Sequence, residues 1–249
     1  MARLFVGTPM YGGMCTGHYT QSMLQLQNTM QRNRIDMAVS FVFNESLITR
    51  GRNAIVHNFL KSGFTHLMFI DADIKFNAED IIPMLLSEKE IICGIYPKKE
   101  INWALVEQAV KAGVPTDQIK YYSGTHVVNL LDGAAQQKFV VTEPAKIANG
   151  GTGFMIIKRE VFDKMAPHVG RYINNAVDLS GNIGAEEIVE FFTTSIDPET
   201  QHLLSEDYHF CRVWRELGGD IWTAPWVQLG HMGSYLFDGA MSPELPEDE

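Results

Sequence analysis

The stretch HLMFIDADIKF at 66–76 sets two carboxylates, Asp71 and Asp73, around one alanine at the end of an apolar run. If a strand's period of two continues through them, both side chains leave on one face. Carboxylates that close repel unless a cation shares their space or one of them takes up a proton. Hard divalent ions take carboxylate oxygens, and magnesium or manganese sites combine one or two carboxylates with substrate phosphates. The plainer alternative is a loop in which Asp73 caps the segment that follows. Arg50, Arg52 and Asn53 sit early in a helical stretch. Arginine's planar fork suits phosphate, and Arg50 and Asn53 share a helix face; a solvated basic turn is the competing interpretation. Gly150, Gly151 and Gly153 let backbone approach a ligand closely, or merely permit a tight turn. Glu206 and Asp207 begin a helix, where the dipole favours negative charge, so position alone makes neither a base.

The elements that must position these residues follow from periodicity. Strands are expected over Arg3–Thr8 (closed by Pro9), Met37–Phe43, 66–70 and Ile91–Ile95. Between them lie helical stretches at 18–31, with Met23, Leu24, Gln27 and Met30 in register, at 46–62, and near 78–88. Ser46 is the expected N-cap of the second, Ile48, Gly51, Ile55 and Phe59 its buried stripe, and Gly63 its C′ residue. Alternating strands and helices predict an α/β domain with a mostly parallel sheet, helices on both faces and ligands at the carboxyl ends of the strands. Thr8–Tyr11, Asn44–Glu45, Asp71–Asp73 and Tyr96–Lys98 all follow strand ends and should converge. Further on, the expected elements are a helix at Trp103–Ala112, strands at 125–130, 138–142 and Phe154–Ile157, and a helix from Arg159. Glu206–Leu217 then reads as a helix, Asp220–Thr223 as a strand, and a loop runs to His231. Residues 167–204 show weak periodicity, and segments of that length are usually functional.

The 249 residues carry 45% hydrophobic and 20% charged side chains and a formal charge of −10. That balance argues against nucleic acid as a partner, while a local basic patch can still hold a small anion. Three scattered cysteines form neither a disulfide framework nor a zinc spacing. Met1–Val6 is too short for a signal sequence and no apolar run approaches a membrane span, so a soluble, cytoplasmic chain is expected. The oligomeric state is not legible.

FIDAD after an apolar strand resembles the Asp-x-Asp motif of GT-A-fold glycosyltransferases that use nucleotide-diphosphate sugars, nearest to family-2-like enzymes including those of large viruses and phages. GTPMYGG at 7–13, SLITRGRNAIV at 46–56, GGTGFMIIKREVF at 150–162, SEDYHFCRVWRELGGDIWTAP at 205–225 and LGHMG at 229–233 resemble further pieces in the family's order. The resemblance covers about 1–100 and 148–235. It implies a GT-A fold over 1–249, with a nucleotide- and metal-binding half at 1–100, an acceptor half at 101–240 and a flexible acidic tail at 241–249. By the same resemblance, Thr8, Pro9, Tyr11, Arg50, Arg52, Asn53, Asp71, Ala72 and Asp73 face the donor, and Gly151, Thr152, Gly153 and Trp222 the sugar and acceptor. Asp71, Asp73 and His231 hold Mn2+, or Mg2+, and Asp207, with Glu206 in reserve, is the base of an inverting transfer to a hydroxyl-bearing acceptor such as a glycan. UDP is the favoured carrier.

Three rivals meet specific objections. A haloacid-dehalogenase-like phosphatase continues its Asp-x-Asp with Gly-Thr, whereas Ile74-Lys75 follow here. A sugar-phosphate nucleotidyltransferase needs basic residues in its first loop, and TPMYGGMCTG has no Arg or Lys. A non-catalytic nucleotide-sugar or carbohydrate-binding module would not need every carboxylate the chemistry uses, and all are present.

Overall fold

Apolar runs flanked by turn residues become the strands of one large sheet in the computed structural model, which describes residues 2–125, 128–129, 140–175 and 185–239. In chain order the elements are β1 (Arg3–Met10), α1 (Gly17–Arg32), β2 (Asp36–Phe43), α2 (Ile48–Lys61), β3 (His66–Ile70), β4 (Ile74–Lys75), α3 (Ile81–Leu86), β5 (Ile91–Cys93) and α4 (Trp103–Lys111). Then come β6 (Val128–Asn129), β7 (Ala145–Ile147), β8 (Asn149–Gly150), β9 (Phe154–Lys158), α5 (Arg159–Met165), β10 (Arg171–Ile173), β11 (Glu187–Val189), β12 (Ser195–Ile196) and β13 (Leu203–Leu204). The described chain ends with α6 (Glu206–Glu216), β14 (Ile221–Thr223), β15 (Leu229–Met232) and β16 (Leu236–Gly239).

The central sheet has seven strands in the order β2-β1-β3-β9-β5-β14-β7. β2, β1, β3, β5 and β14 run one way, while β9 and β7 run against them. This is the expected class: α/β, mostly parallel, flanked by helices. Alternation along each strand feeds two cores. Leu4 and Val6 of β1, Met68 and Ile70 of β3, and Phe154 and Ile156 of β9 enter the layer shared with α1 and α3. Phe5, Leu67, Phe69, Met155 and Ile157 enter the layer shared with α2, α5 and α6. A strand buried on both faces reads as a continuous apolar run, which is why HLMFI and FMIIK have no polar face.

Several expectations need correction. β1 runs on to Met10, and Pro9 lies inside the strand opposite Val42. Pro9 is tolerated because β3 pairs only with Leu4–Gly7, so the missing N–H leaves no ladder partner unmet. The buried side of α1 is Tyr19, Ser22, Leu26, Thr29 and Met30, with Leu24 and Gln27 turned outward. Ser46 does not cap α2; Leu47 is the N-cap residue, and its N–H is taken by Glu45 Oε1 at 2.9 Å. Gly63 has no positive φ. Arg3 donates to its carbonyl at 2.8 Å, and a Cβ there would lie 3.0 Å from the guanidinium. Of the strand expected at 138–142, residues 140–142 are not extended, and the strand comes at Ala145–Ile147; 138 and 139 lie outside the described residues. Of the strand expected at 125–130, Thr125 is not in a strand, Val128–Asn129 are, and 126, 127 and 130 lie outside the described residues, as does the tail 241–249. His231 sits in a strand, not a loop: β15 pairs with β4 and β16, opposing His231 to Ile74.

Candidate active site

The carboxyl ends of β1, β3, β5 and β14 meet the start of the antiparallel β9, so the loops there come from distant parts of the sequence. Asp71 N–H donates to the Gly153 carbonyl at 2.9 Å, and Gly94 N–H to that of Phe154 at 2.9 Å. These bonds clamp the Asp-x-Asp turn, the Gly-rich loop and the segment after β5 together. The strand ends at Ile70, so the two aspartates do not keep its period of two. Each carboxylate instead has its own side-chain cation.

Asp71 faces Arg52, whose Nη2 lies 3.2 Å and 3.4 Å from its two oxygens. The same guanidinium reaches Glu206 with Nε at 3.2 Å, so one buried arginine ties the Asp-x-Asp turn to the start of α6. It lies over the Phe69 ring, 5.2 Å from its centroid. Its Nη1 is buried with no hydrogen-bond partner among the described residues.

Asp73 faces His231 and Lys99. His231 Nε2 stands 3.5 Å from Asp73 Oδ1, and Nδ1 donates to the Pro97 carbonyl at 2.9 Å. A carbonyl can only accept, so Nδ1 carries a proton, and Nε2 is the nitrogen turned to Asp73: a donor to the carboxylate when the ring is charged, a lone pair for a metal when it is neutral. Lys99 Nζ bonds the other oxygen. Burial acts to raise the Asp73 carboxyl, yet hydrogen bonds from His231 and Lys99 outweigh it and the net shift is downward. A carboxylate kept ionised beside an imidazole nitrogen oriented by its other hydrogen bond fits a divalent ion: two ligand atoms 3.5 Å apart can both lie about 2.1 Å from one centre. Asp71 is engaged by Arg52, which leaves part of its oxygen surface open. No group of three or more His, Cys, Asp or Glu side chains is arranged to hold a metal among the described residues.

Asp207 stands beside Glu206 in the first turn of α6. Burial pushes its carboxyl above the usual carboxylate range, opposed by the Ser205 hydroxyl that donates to it, and reinforced by the charge of Glu206. Its Oδ1 also accepts from Tyr208 N–H at 2.9 Å. α6 is held against the Gly-rich loop, with Cys211 Sγ 3.7 Å from the Gly150 carbonyl.

Tyr96 is the side chain on which these parts meet. Its ring sits edge-on to His231 at 5.4 Å, and its hydroxyl accepts from Gly153 N–H at 3.3 Å. Burial raises its phenol, and the charges of Asp71 and Asp207 raise it further. A Cβ on Gly151 would lie 2.2 Å from the Tyr96 hydroxyl, and one on Gly153 2.8 Å from its ring. The glycines are therefore there to admit this ring. Gly151→Ala is expected to cost about 2 kcal/mol by overpacking and to lower Tm by about 4–8 °C, measured by thermal denaturation.

The remaining expected residues divide. Pro9, Tyr11, Glu45, Asp71, Ala72 and Asp73 line one cleft of about 440 Å³, with Tyr11 72% exposed and open to a partner. A larger apolar groove of about 990 Å³ lies between α1 and β2, away from the Asp73–His231 pair, and lacks the paired carboxylates. Thr8 is buried with its hydroxyl 2.7 Å from that of Tyr19. Arg50 is engaged by Glu45 through two nitrogens rather than left open to phosphate. Asn53 is buried, spending its amide on both backbone groups of Phe192 at 2.9 Å. Thr152 is buried, and its hydroxyl has no partner among the described residues. Trp222 is not in the cleft; its ring lies between Lys89, 3.8 Å from the centroid, and Lys146, at 5.3 Å. Lys99 was missed because PKKE reads as a solvated charge run; its place just after a strand end was the available signal.

No family model matches the sequence, and no curated protein does. Among solved structures the chain is similar to A197 from STIV, with 14% identity, a TM-score of 0.50, and coverage of 99% of this chain and 98% of that one. The chain therefore shares the overall fold of that protein. The chain also aligns to GalNAc-T7, solved with UDP, GalNAc and Mn2+, at 10% identity and a TM-score of 0.45 over 93% of this chain and 44% of that one. A third alignment, to S. aureus TarS 1–349 in complex with UDP-GlcNAc, has 14% identity and a TM-score of 0.38 over 97% of this chain and 59% of that one. The chain thus spans about half the length of these last two. No helix among the described residues is long and apolar enough to cross a membrane.

Proposed function

We propose that this protein is a glycosyltransferase that moves a sugar from a nucleotide-diphosphate donor, a UDP-sugar first, to an acceptor hydroxyl, with a divalent cation and with inversion at the anomeric carbon. The observation that carries the reading is the pairing of two unlike carboxylates at one sheet edge. Asp73, held below the usual range beside His231, suits a metal and diphosphate. Asp207, pushed above that range, suits a base. Environments that push two carboxyls apart separate their roles.

In this reading Asp73 and His231 hold Mn2+, with Mg2+ as the alternative. The ion supplies Lewis-acid stabilisation of the charge that builds on the leaving diphosphate. Tyr11 packs on the nucleotide base above the cleft floor of Pro9 and Ala72. Asp71 takes a ribose hydroxyl with the oxygen lone pairs that Arg52 leaves open. Asp207 removes the proton from the acceptor hydroxyl as it attacks, and Glu206 fixes α6 through Arg52. The chain works as one domain, and β10–β13 lie on the acceptor side.

Binding tests this directly. UDP at about one hundred times its dissociation constant, with Mn2+, stabilises the folded state by about 2.7 kcal/mol and raises Tm by roughly 5–10 °C. UDP-GlcNAc and UDP-GalNAc are the first donors to assay. Indifference of Tm to every nucleotide diphosphate, with and without Mn2+, removes the reading.

A further inference from the structure

We propose that Lys99 is a built-in counter-ion for the metal position, holding Asp73 until a divalent cation displaces it. The inference rests on the metal-dependent reading above and adds to it the state of the site before the ion arrives. Asp73 presents one oxygen to His231 and the other to Lys99, whose Nζ–Oδ2 separation is 2.5 Å. A divalent ion between Asp73 and His231 and an ammonium on the same carboxylate are like charges within a few ångströms, so each weakens the other's hold.

The geometry gives Lys99 freedom to leave. Its side chain is 40% exposed. Its stem crosses Gly233, where a Cβ would lie 3.2 Å from Lys99 Cδ, so the glycine keeps that path open. Lysine is a point charge on a flexible stem, unlike the forked arginine at Asp71. Arg52 is buried and tied at both ends, to Asp71 and Glu206, so it is a permanent partner. The turn thus carries one fixed cation and one exchangeable cation, and only the aspartate with the exchangeable one also faces a histidine.

The test is a titration with Mn2+ in the absence of nucleotide, following free Mn2+ by electron paramagnetic resonance. Lys99→Met is expected to bind Mn2+ about threefold to fivefold more tightly than the unaltered protein, the range of a partly exposed ion pair. Lys99→Arg retains a competing charge and is expected to stay near the unaltered value, while Asp73→Asn loses the binding. Unfolding midpoints within about 2 °C show that Lys99→Met keeps the fold. Lys99→Met binding Mn2+ no more tightly than the unaltered protein overturns the inference. If UDP with Mn2+ still stabilises the unaltered protein in that case, the transferase reading stands and only Lys99's role falls. If neither protein binds Mn2+ or UDP, both fall.

Discussion

Asp207→Asn is expected to lower sugar transfer by about 10²–10⁴-fold and, at neutral pH, to make the protein more stable. The first half follows from removing the group that takes the acceptor's proton in the proposed reaction. The second follows from the direction of its ionisation. Burial raises the Asp207 carboxyl in the folded state. A group so raised contributes stability that is fully present below its unfolded value, about pH 4, and is lost as pH rises through the folded value. Asparagine has no such loss, and its oxygen can still accept from Ser205 and Tyr208 N–H. Urea unfolding from pH 3 to pH 8 should therefore show the variant gaining on the unaltered protein as pH rises. The unaltered protein's kcat/KM should climb through the same ionisation, and the variant's residual rate should be flat there. Activity within tenfold of the unaltered protein would remove Asp207 as the base.

The sequence made the sheet legible where burial leaves a mark. HLMFI and FMIIK read as strands because a strand covered on both faces is apolar throughout, but periodicity carries no direction, so the antiparallel run of β9 was not visible. The ends of elements were less clear, since β1 continues through Pro9 only because β3 stops short of it. Within the site, residue types were informative and pairings were not. Asp71 and Asp73 suggested a shared cation, yet the strand ends at Ile70 and the turn sends them to Arg52 and Lys99. Arg50 and Asn53 had the right chemistry for a ligand but spend it on Glu45 and the Phe192 backbone. Trp222 had the right ring and the wrong neighbours. These partners are brought together by topology, which local pattern does not record.

Arg52→Met is expected to destabilise the fold by about 3 kcal/mol, the low end for removing one partner of a buried ion pair, because Asp71 keeps some water. Tm should fall by roughly 6–12 °C. Methionine fills much of the arginine's length over Phe69, so the loss is electrostatic rather than a cavity. The arginine side chain is 4% exposed and its guanidinium stands between Asp71, 31% exposed, and Glu206, 14% exposed. Without it, two carboxylates remain at the mouth of α6 with no cation between them. Adding Asp71→Asn to the variant should recover part of the loss, because one of the two stranded charges is then gone. Arg52→Lys should fall between, since one ammonium cannot span both acids as the fork does. The variant also bears on catalysis. Arg52 opposes the upward shift of the Asp207 carboxyl, so in Arg52→Met the rising limb of the pH–rate profile should move to higher pH. A destabilisation below 1 kcal/mol, or no recovery on adding Asp71→Asn, would mean that water already screens both acids. Arg52 could not then be what couples the Asp-x-Asp turn to the base.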